Sequence, residues 1–319
     1  MSSGNPAVIA VLTPIWQRVL QAPIIGAEDN FFHLGGNPSL AAQLFSEIAL
    51  ASGRVLPAEM IYQAPTISAL SCLLDHPDQP RLAPAVLLKA GTDAPPVFIA
   101  HGMGGAVVEF FGLLNSLQSP HAIYGMQAKG NDGGEEPFDR IEDLTHYYLD
   151  AIREVQSCGP YSLIGYSLGG LVMLEVARRL SANKQEVRLL AMLDAYPHPS
   201  QLSLGQRMRL TARRVRRFSW TAAETPAIEI GPVMQRVRDS AYLAWTRYQP
   251  GFYAGKINFV RAATPTIFPE DPIAVWGELA DEIEIETVPG DHHEMLTKHF
   301  DVLGSLLSQY LIPPSDVRP

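Results

Sequence analysis

Through the N-terminal quarter of the chain the apolar residues recur at the spacing of a helix face; beyond it they gather into short continuous runs that suit buried strands. From Pro6 to Leu20, Val8, Leu12, Ile15, Trp16 and Val19 fall at helical spacing, with polar Gln17 and Arg18 between them. Ala41 to Ala51 repeats the period, and Pro65-Thr66-Ile67-Ser68-Ala69-Leu70 opens a further helix with proline near its start. Residues 1–77 therefore predict a small all-α bundle of three or four helices. From Pro77 the chain is too polar and proline-broken for an element, so residues 78–94 predict a linker.

Strands and helices then alternate over residues 95–319. Pro96–Ala100, Ala122–Met126, the run ending at Tyr166, Val187–Leu193, Ile257–Val260 and Ile283–Val288 read as strands. Val107–Leu117, Leu144–Val155, Leu171–Ala177 and Leu296–Tyr310 read as helices, and the alternation predicts a parallel sheet with helices on its faces. The pattern changes over about 197–250, where Arg207, Arg209, Arg213, Arg214, Arg216 and Arg217 crowd a helical stretch. This insertion is expected to be a lid, its arginines either a solvated face or a greeting for a phosphate-bearing arm or an acidic carrier.

Composition narrows the field. A hydrophobic share of 47% supports a sizeable core, and a formal charge of -9 argues against a general nucleic-acid binder. Cys72 and Cys158 have no His or Cys partner at metal-ligand spacing and predict free thiols in a reducing compartment. With no secretory pattern at the N-terminus and no run long enough to span a bilayer, a cytoplasmic, non-membrane protein is expected.

The chemistry centres on Gly165-Tyr166-Ser167-Leu168-Gly169-Gly170, between an apolar strand and a helix. A serine on that turn has its hydroxyl pushed out of the sheet, which makes Ser167 the expected nucleophile. A serine hydroxyl needs a base to take its proton and an acid to orient that base. The base is expected from Gly290-Asp291-His292-His293, with His292 favoured and His293 turned elsewhere because successive extended side chains alternate. His101, ending an early strand, is expected to be structural. For the acid, Asp194 ends the strand after the nucleophile, whereas Asp271 precedes Pro272 as a helix start would; either preserves the order Ser, Asp, His. The oxyanion needs backbone N–H donors, expected from Leu168 and from Met103 in His101-Gly102-Met103-Gly104-Gly105. No metal is required.

The first segment, through Trp16, Asp29-Asn30-Phe31-Phe32, Leu34-Gly35-Gly36 and Ala64-Pro65-Thr66-Ile67, resembles the phosphopantetheine-binding carrier domains of nonribosomal peptide and polyketide synthases. From Pro95 to Tyr310, the motifs Phe98-Ile99-Ala100-His101-Gly102, Tyr124 to Gly130, Gly159 to Gly170, Leu193-Asp194 and Gly290-Asp291-His292 resemble the thioesterase domain that ends such synthases, of the α/β-hydrolase superfamily. The resemblance implies an acyl or peptidyl chain handed from a phosphopantetheine thioester to Ser167 and released by water or an internal nucleophile. It implies upstream synthase modules or carrier proteins as partners, and it assigns the acid to Asp194. Two departures stand out: Gly102 where the family often has proline, and Pro38 where carriers have the serine that receives phosphopantetheine. The only nearby hydroxyl is Ser39, which a one-residue helical shift turns by ~100°; this predicts an unmodified docking or vestigial domain, the other reading being that the helix begins one residue later and Ser39 is the site that would receive phosphopantetheine. The alternative function is an acyl-CoA or ester hydrolase carrying a carrier-like docking domain.

Overall fold

The computed structural model describes residues 4–76, 80–92, 94–205, 231–264 and 271–312. The arginine-rich stretch 206–220 and the residues just before Asp271 lie outside the described residues.

Side chains with short polar reach start the N-terminal helices. Asn5 accepts from Ala7 N to cap α1 (Pro6–Leu20), Asn37 from Leu40 N to cap α2 (Pro38–Ser52), and Thr66 from Ala69 N to cap α4 (Ile67–Asp75). Each such bond satisfies an amide the helix itself leaves open, worth about 1 kcal/mol. The short α3 (Met60–Gln63) completes a four-helix region. Its centre is aromatic: fully buried Trp16 and Phe31 meet edge to face at 5.4 Å.

A seven-stranded sheet follows, made of β1 (Ala85–Lys89), β2 (Ala94–Ala100), β3 (His121–Met126), β4 (Tyr161–Tyr166), β5 (Val187–Leu193), β6 (Tyr253–Ala262) and β7 (Ala280–Val288). The order is β1-β3-β2-β4-β5-β6-β7, with β1 antiparallel to β3 and the other pairs parallel. Strand β1 corrects the expected linker. Five residues that read as part of a connection pair with β3 as a short edge strand, and, among the described residues, 80–84 and 90–92 have no regular structure.

Side-chain alternation sends Phe98, Leu163, Leu190 and Met192 to one face, against α6 (Ile141–Val155) and α7 (Leu168–Ala182). Val97, Ile99, Ile164 and Ala191 go to the other, with α5 (Phe111–Ser116) and α11 (Phe300–Leu311). The C-terminal helix expected from Leu296 is broken: α10 (Glu294–Thr297) ends where Glu294 O accepts from both Lys298 N and His299 N, and α11 then begins at Phe300. Between β5 and β6 lies α8 (Pro232–Arg247), and α9 (Pro272–Trp276) precedes β7.

The helical region rests on the second of these faces, and one hydrophobic cluster runs from Trp16 through to Ile99 and Leu303. Phe32 stacks on Tyr62 at 4.9 Å and reaches Phe111 of α5 at 6.2 Å. Gln63 accepts from Ala83 N at 2.7 Å and donates to Arg81 O at 3.2 Å, so the connecting chain is tied at both ends of one amide.

The strand order places a reversal between β2 and β4. From β2 the chain winds outward to β3, then returns to β4 on β2's other side, so the loops leaving β2 and β4 diverge and open a crevice at the carboxyl end of the sheet.

Candidate active site

Every residue of β4 is buried, and the chain leaves it by an abrupt turn at Ser167, with φ 53° and ψ −120°. That backbone is costly for a residue with a side chain. Its neighbours make it possible: a Cβ on Gly165 would lie 2.3 Å from Gly169 O, and one on Gly169 would lie 2.4 Å from the carbonyls of Ala100 and His101. The turn is closed by Ser167 N donating to Leu193 O at 2.9 Å and Gly170 N donating to Ser167 O at 3.1 Å. Ser167 is left half-buried at the crevice, with Leu168 opening α7.

Buried His292 arrives from the loop after β7. The loop is held by a reciprocal capping arrangement: Asp291 Oδ1 accepts from His293 N and Glu294 N, both at 2.9 Å, while Glu294 Oε2 accepts from Asp291 N at 3.2 Å. Against the desolvation that would raise it, these backbone bonds hold the Asp291 carboxyl below its ordinary range. Tyr166 fixes His292 further. Its ring stacks on the imidazole at 4.8 Å and its hydroxyl donates to His292 O at 2.8 Å.

Asp194 leaves β5 with φ 45°, its own N–H donating to Val260 O at 2.7 Å and its Oδ1 accepting from Ala262 N at 3.2 Å. Oδ2 then lies 2.8 Å from His292 Nδ1, and His292 Nε2 lies 3.1 Å from Ser167 Oγ. With the Nδ1 proton donated to Asp194, Nε2 is the accepting nitrogen and faces the serine hydroxyl.

The competing residues lie elsewhere. Asp271 caps α9, accepting from Ile273 N at 3.0 Å and Ala274 N at 3.3 Å. His293 is exposed, beside His292. His101 is buried with Nδ1 donating to Gly102 O and Nε2 accepting from Tyr148 O–H, each at 2.5 Å, and burial pushes its pKa down to about 4. Met103 sits three residues beyond β2, in the loop on the other side of the crevice. Gly105 in that loop has φ +77°, and a Cβ there would meet Val237 of α8 at 2.6 Å and Ala128 at 2.9 Å, so α8 packs down onto it. In the helical region α2 begins at Pro38, with Ser39 exposed in its first turn. Tyr166 is the contributor the sequence reading missed; its place beside Ser167 was visible, but a contact across 126 residues has no local signature.

Among the described residues no cluster of His, Cys, Asp or Glu could hold a metal ion, and no helix is long and apolar enough to cross a membrane. Cys72 and Cys158 are not in a disulfide.

The phosphopantetheine attachment site family matches residues 10–74, and the thioesterase domain family matches residues 95–310. A dimodular nonribosomal peptide synthase of Bacillus subtilis (strain 168) is 39% identical over 189 residues, 59% of this chain and 8% of that protein. The chain thus spans a small part of that relative. A solved four-domain nonribosomal peptide synthetase bound to AMP and glycine superposes with a TM-score of 0.62 at 21% identity, over 98% of this chain and 27% of the other. The thioesterase domain SrfTE, described for cyclisation of the lipopeptide antibiotic surfactin, superposes at 0.54 and 19% identity, over 72% of this chain and 96% of that one. At those identities the two structures establish the fold, and the family matches establish the kinship: the chain belongs to the thioesterase domain family, with a phosphopantetheine-binding carrier domain ahead of it.

Proposed function

We propose that this protein releases an acyl or peptidyl chain from a phosphopantetheine thioester through an ester on Ser167. The observation that carries the reading is the relay of Ser167 Oγ, 3.1 Å from His292 Nε2, with His292 Nδ1 2.8 Å from Asp194 Oδ2. Ser167 Oγ attacks the thioester carbonyl while His292 takes its proton, and Asp194 steadies the imidazolium. The N–H groups of Leu168 and Met103 receive the oxyanion. Collapse breaks the C–S bond, and His292 returns its proton to the leaving thiolate. His292 then deprotonates water, or a nucleophile within the chain, to cleave the ester and restore Ser167.

In this reading α8 forms part of a lid, supported by the seating of Val237 on Gly105. The substrate arrives on carrier proteins or upstream synthase modules in the cytoplasm. The chain's own carrier domain serves for docking, because α2 starts at Pro38 and its exposed hydroxyl, Ser39, is one position on. That same feature favours a second reading, an acyl-CoA or ester hydrolase with a carrier-like docking domain. Ser167→Ala tests the core of both: turnover of a small acyl thioester should fall by at least ~10³-fold with the fold intact, and wild-type turnover in the variant would exclude the serine route.

A further inference from the structure

The loop expected to supply Met103 N–H is tied by a side chain that the proposed reaction leaves unused. Gly102 N, one residue before Met103, donates to Glu109 Oε1 at 2.5 Å. Glu109 lies on the 3₁₀ turn Val107–Phe110, so its carboxyl reaches back across the strand-to-helix connection. Gly102 is confined from the other side as well: a Cβ there would stand 3.0 Å from the Tyr166 ring and 3.5 Å from Glu109 Oε2. Tyr166 in turn stacks on His292. Carboxyl, loop, ring and base therefore form one packed series, and a shift in the first displaces the amides of the loop relative to the base.

The charge state of Glu109 follows from its surroundings. Glu109 is half-buried, and desolvation of its carboxyl pushes its pKa up to about 8, against the lowering effect of the Gly102 bond. Among the described residues the titratable groups that feel its charge are Tyr148 of α6 and Tyr166 at the end of β4, both phenols raised by burial first and by Glu109's charge among further causes. His101 is neutral and bonded to Tyr148, and Asp194 and Asp291 act on Tyr166 from beyond it. None of these facing groups is a cation that would favour the carboxylate. A neutral acid holds the loop without placing charge near an oxyanion; an ionised one would oppose it.

We propose that Glu109 is a positioning residue for acyl transfer: its oxygen accepts from Gly102 N–H and so holds the loop with Met103 N–H aimed at the oxyanion, and a negative charge on it slows the reaction by opposing that oxyanion. This rests on the Ser167 reading given above. The test uses the full chain and a small acyl thioester, with kcat and KM measured separately from about pH 6 to about pH 10 for wild type, Glu109→Gln and Glu109→Ala, each checked for folding by thermal unfolding. Wild type should lose activity on the alkaline side with a midpoint near 8. Glu109→Gln, which keeps the acceptor and cannot ionise, should hold kcat within about 3-fold at neutral pH and lack that decline, whereas Glu109→Ala should lower kcat by ~10–100-fold with KM little changed. An active wild type matched by Glu109→Ala, or an alkaline decline unchanged in Glu109→Gln, would overturn the proposal alone. A wild type that neither turns over nor acquires an acyl group on Ser167 would overturn the serine reading and this proposal with it.

Discussion

Asp194 and Asp271 are both carboxylates near strand ends, and what separates them is where their oxygens point. Asp194 gives one oxygen to a backbone amide of β6 and the other to His292, so its side chain is fixed with respect to the imidazole. Asp271 points an oxygen at the first amides of α9. Asn in place of Asp194 presents an amide where the imidazole proton needs an acceptor, favouring the wrong tautomer; Asp194→Asn should lower kcat by on the order of 10³–10⁴-fold. Asp271→Asn should leave kcat within about 2-fold and stability within about 0.5 kcal/mol, because asparagine caps a helix as well as aspartate does. Steady-state kinetics and urea unfolding on the two variants decide this, and the reverse order of effects would remove Asp194 from the proposed relay.

At the scale of elements, the turn around Ser167 is the part that tolerates least. Gly169→Ala would bring a methyl to 2.4 Å from two carbonyl oxygens of the β2 end, backbone atoms that have no room to move. Overpacking of this kind costs ~1–3 kcal/mol; denaturant unfolding should show that loss, and an unchanged midpoint would mean the turn is looser than described. Most of this layer was legible in the sequence, since buried parallel strands such as β4 and β5 leave continuous apolar runs and a glycine-bounded serine marks the turn between them. Strand β1 was not, because an edge strand of five residues after a proline-broken stretch carries no periodicity that sets it apart from a connection. The break between α10 and α11 and the stacking of Tyr166 on His292 escaped for a related reason. Both depend on partners brought together by the fold, whereas His292 was expected from its loop after the last strand, and position alone left Asp194 and Asp271 both open until the family resemblance favoured Asp194.

For the whole molecule, the carrier domain and the sheet share one apolar cluster, with Phe32 wedged between Tyr62 and Phe111 immediately before the loop that leads to Pro38. A carrier held in this way and lacking serine at position 38 is proposed to dock and not to carry. Incubation with CoA and a promiscuous phosphopantetheinyl transferase should therefore leave the mass of the chain unchanged, and efficient modification at Ser39 would reverse that assignment. The account as a whole stands on the covalent intermediate at the centre of the crevice, where three residues from three strand ends meet. Its most direct test is intact mass spectrometry of the chain after brief exposure to a panel of acyl thioesters, followed by peptide mapping. The account predicts a transient acyl adduct mapped to Ser167, absent from Ser167→Ala and longer-lived in His292→Ala if any forms; turnover of the thioesters with no adduct on Ser167, or an equal adduct in the Ser167→Ala chain, would contradict it.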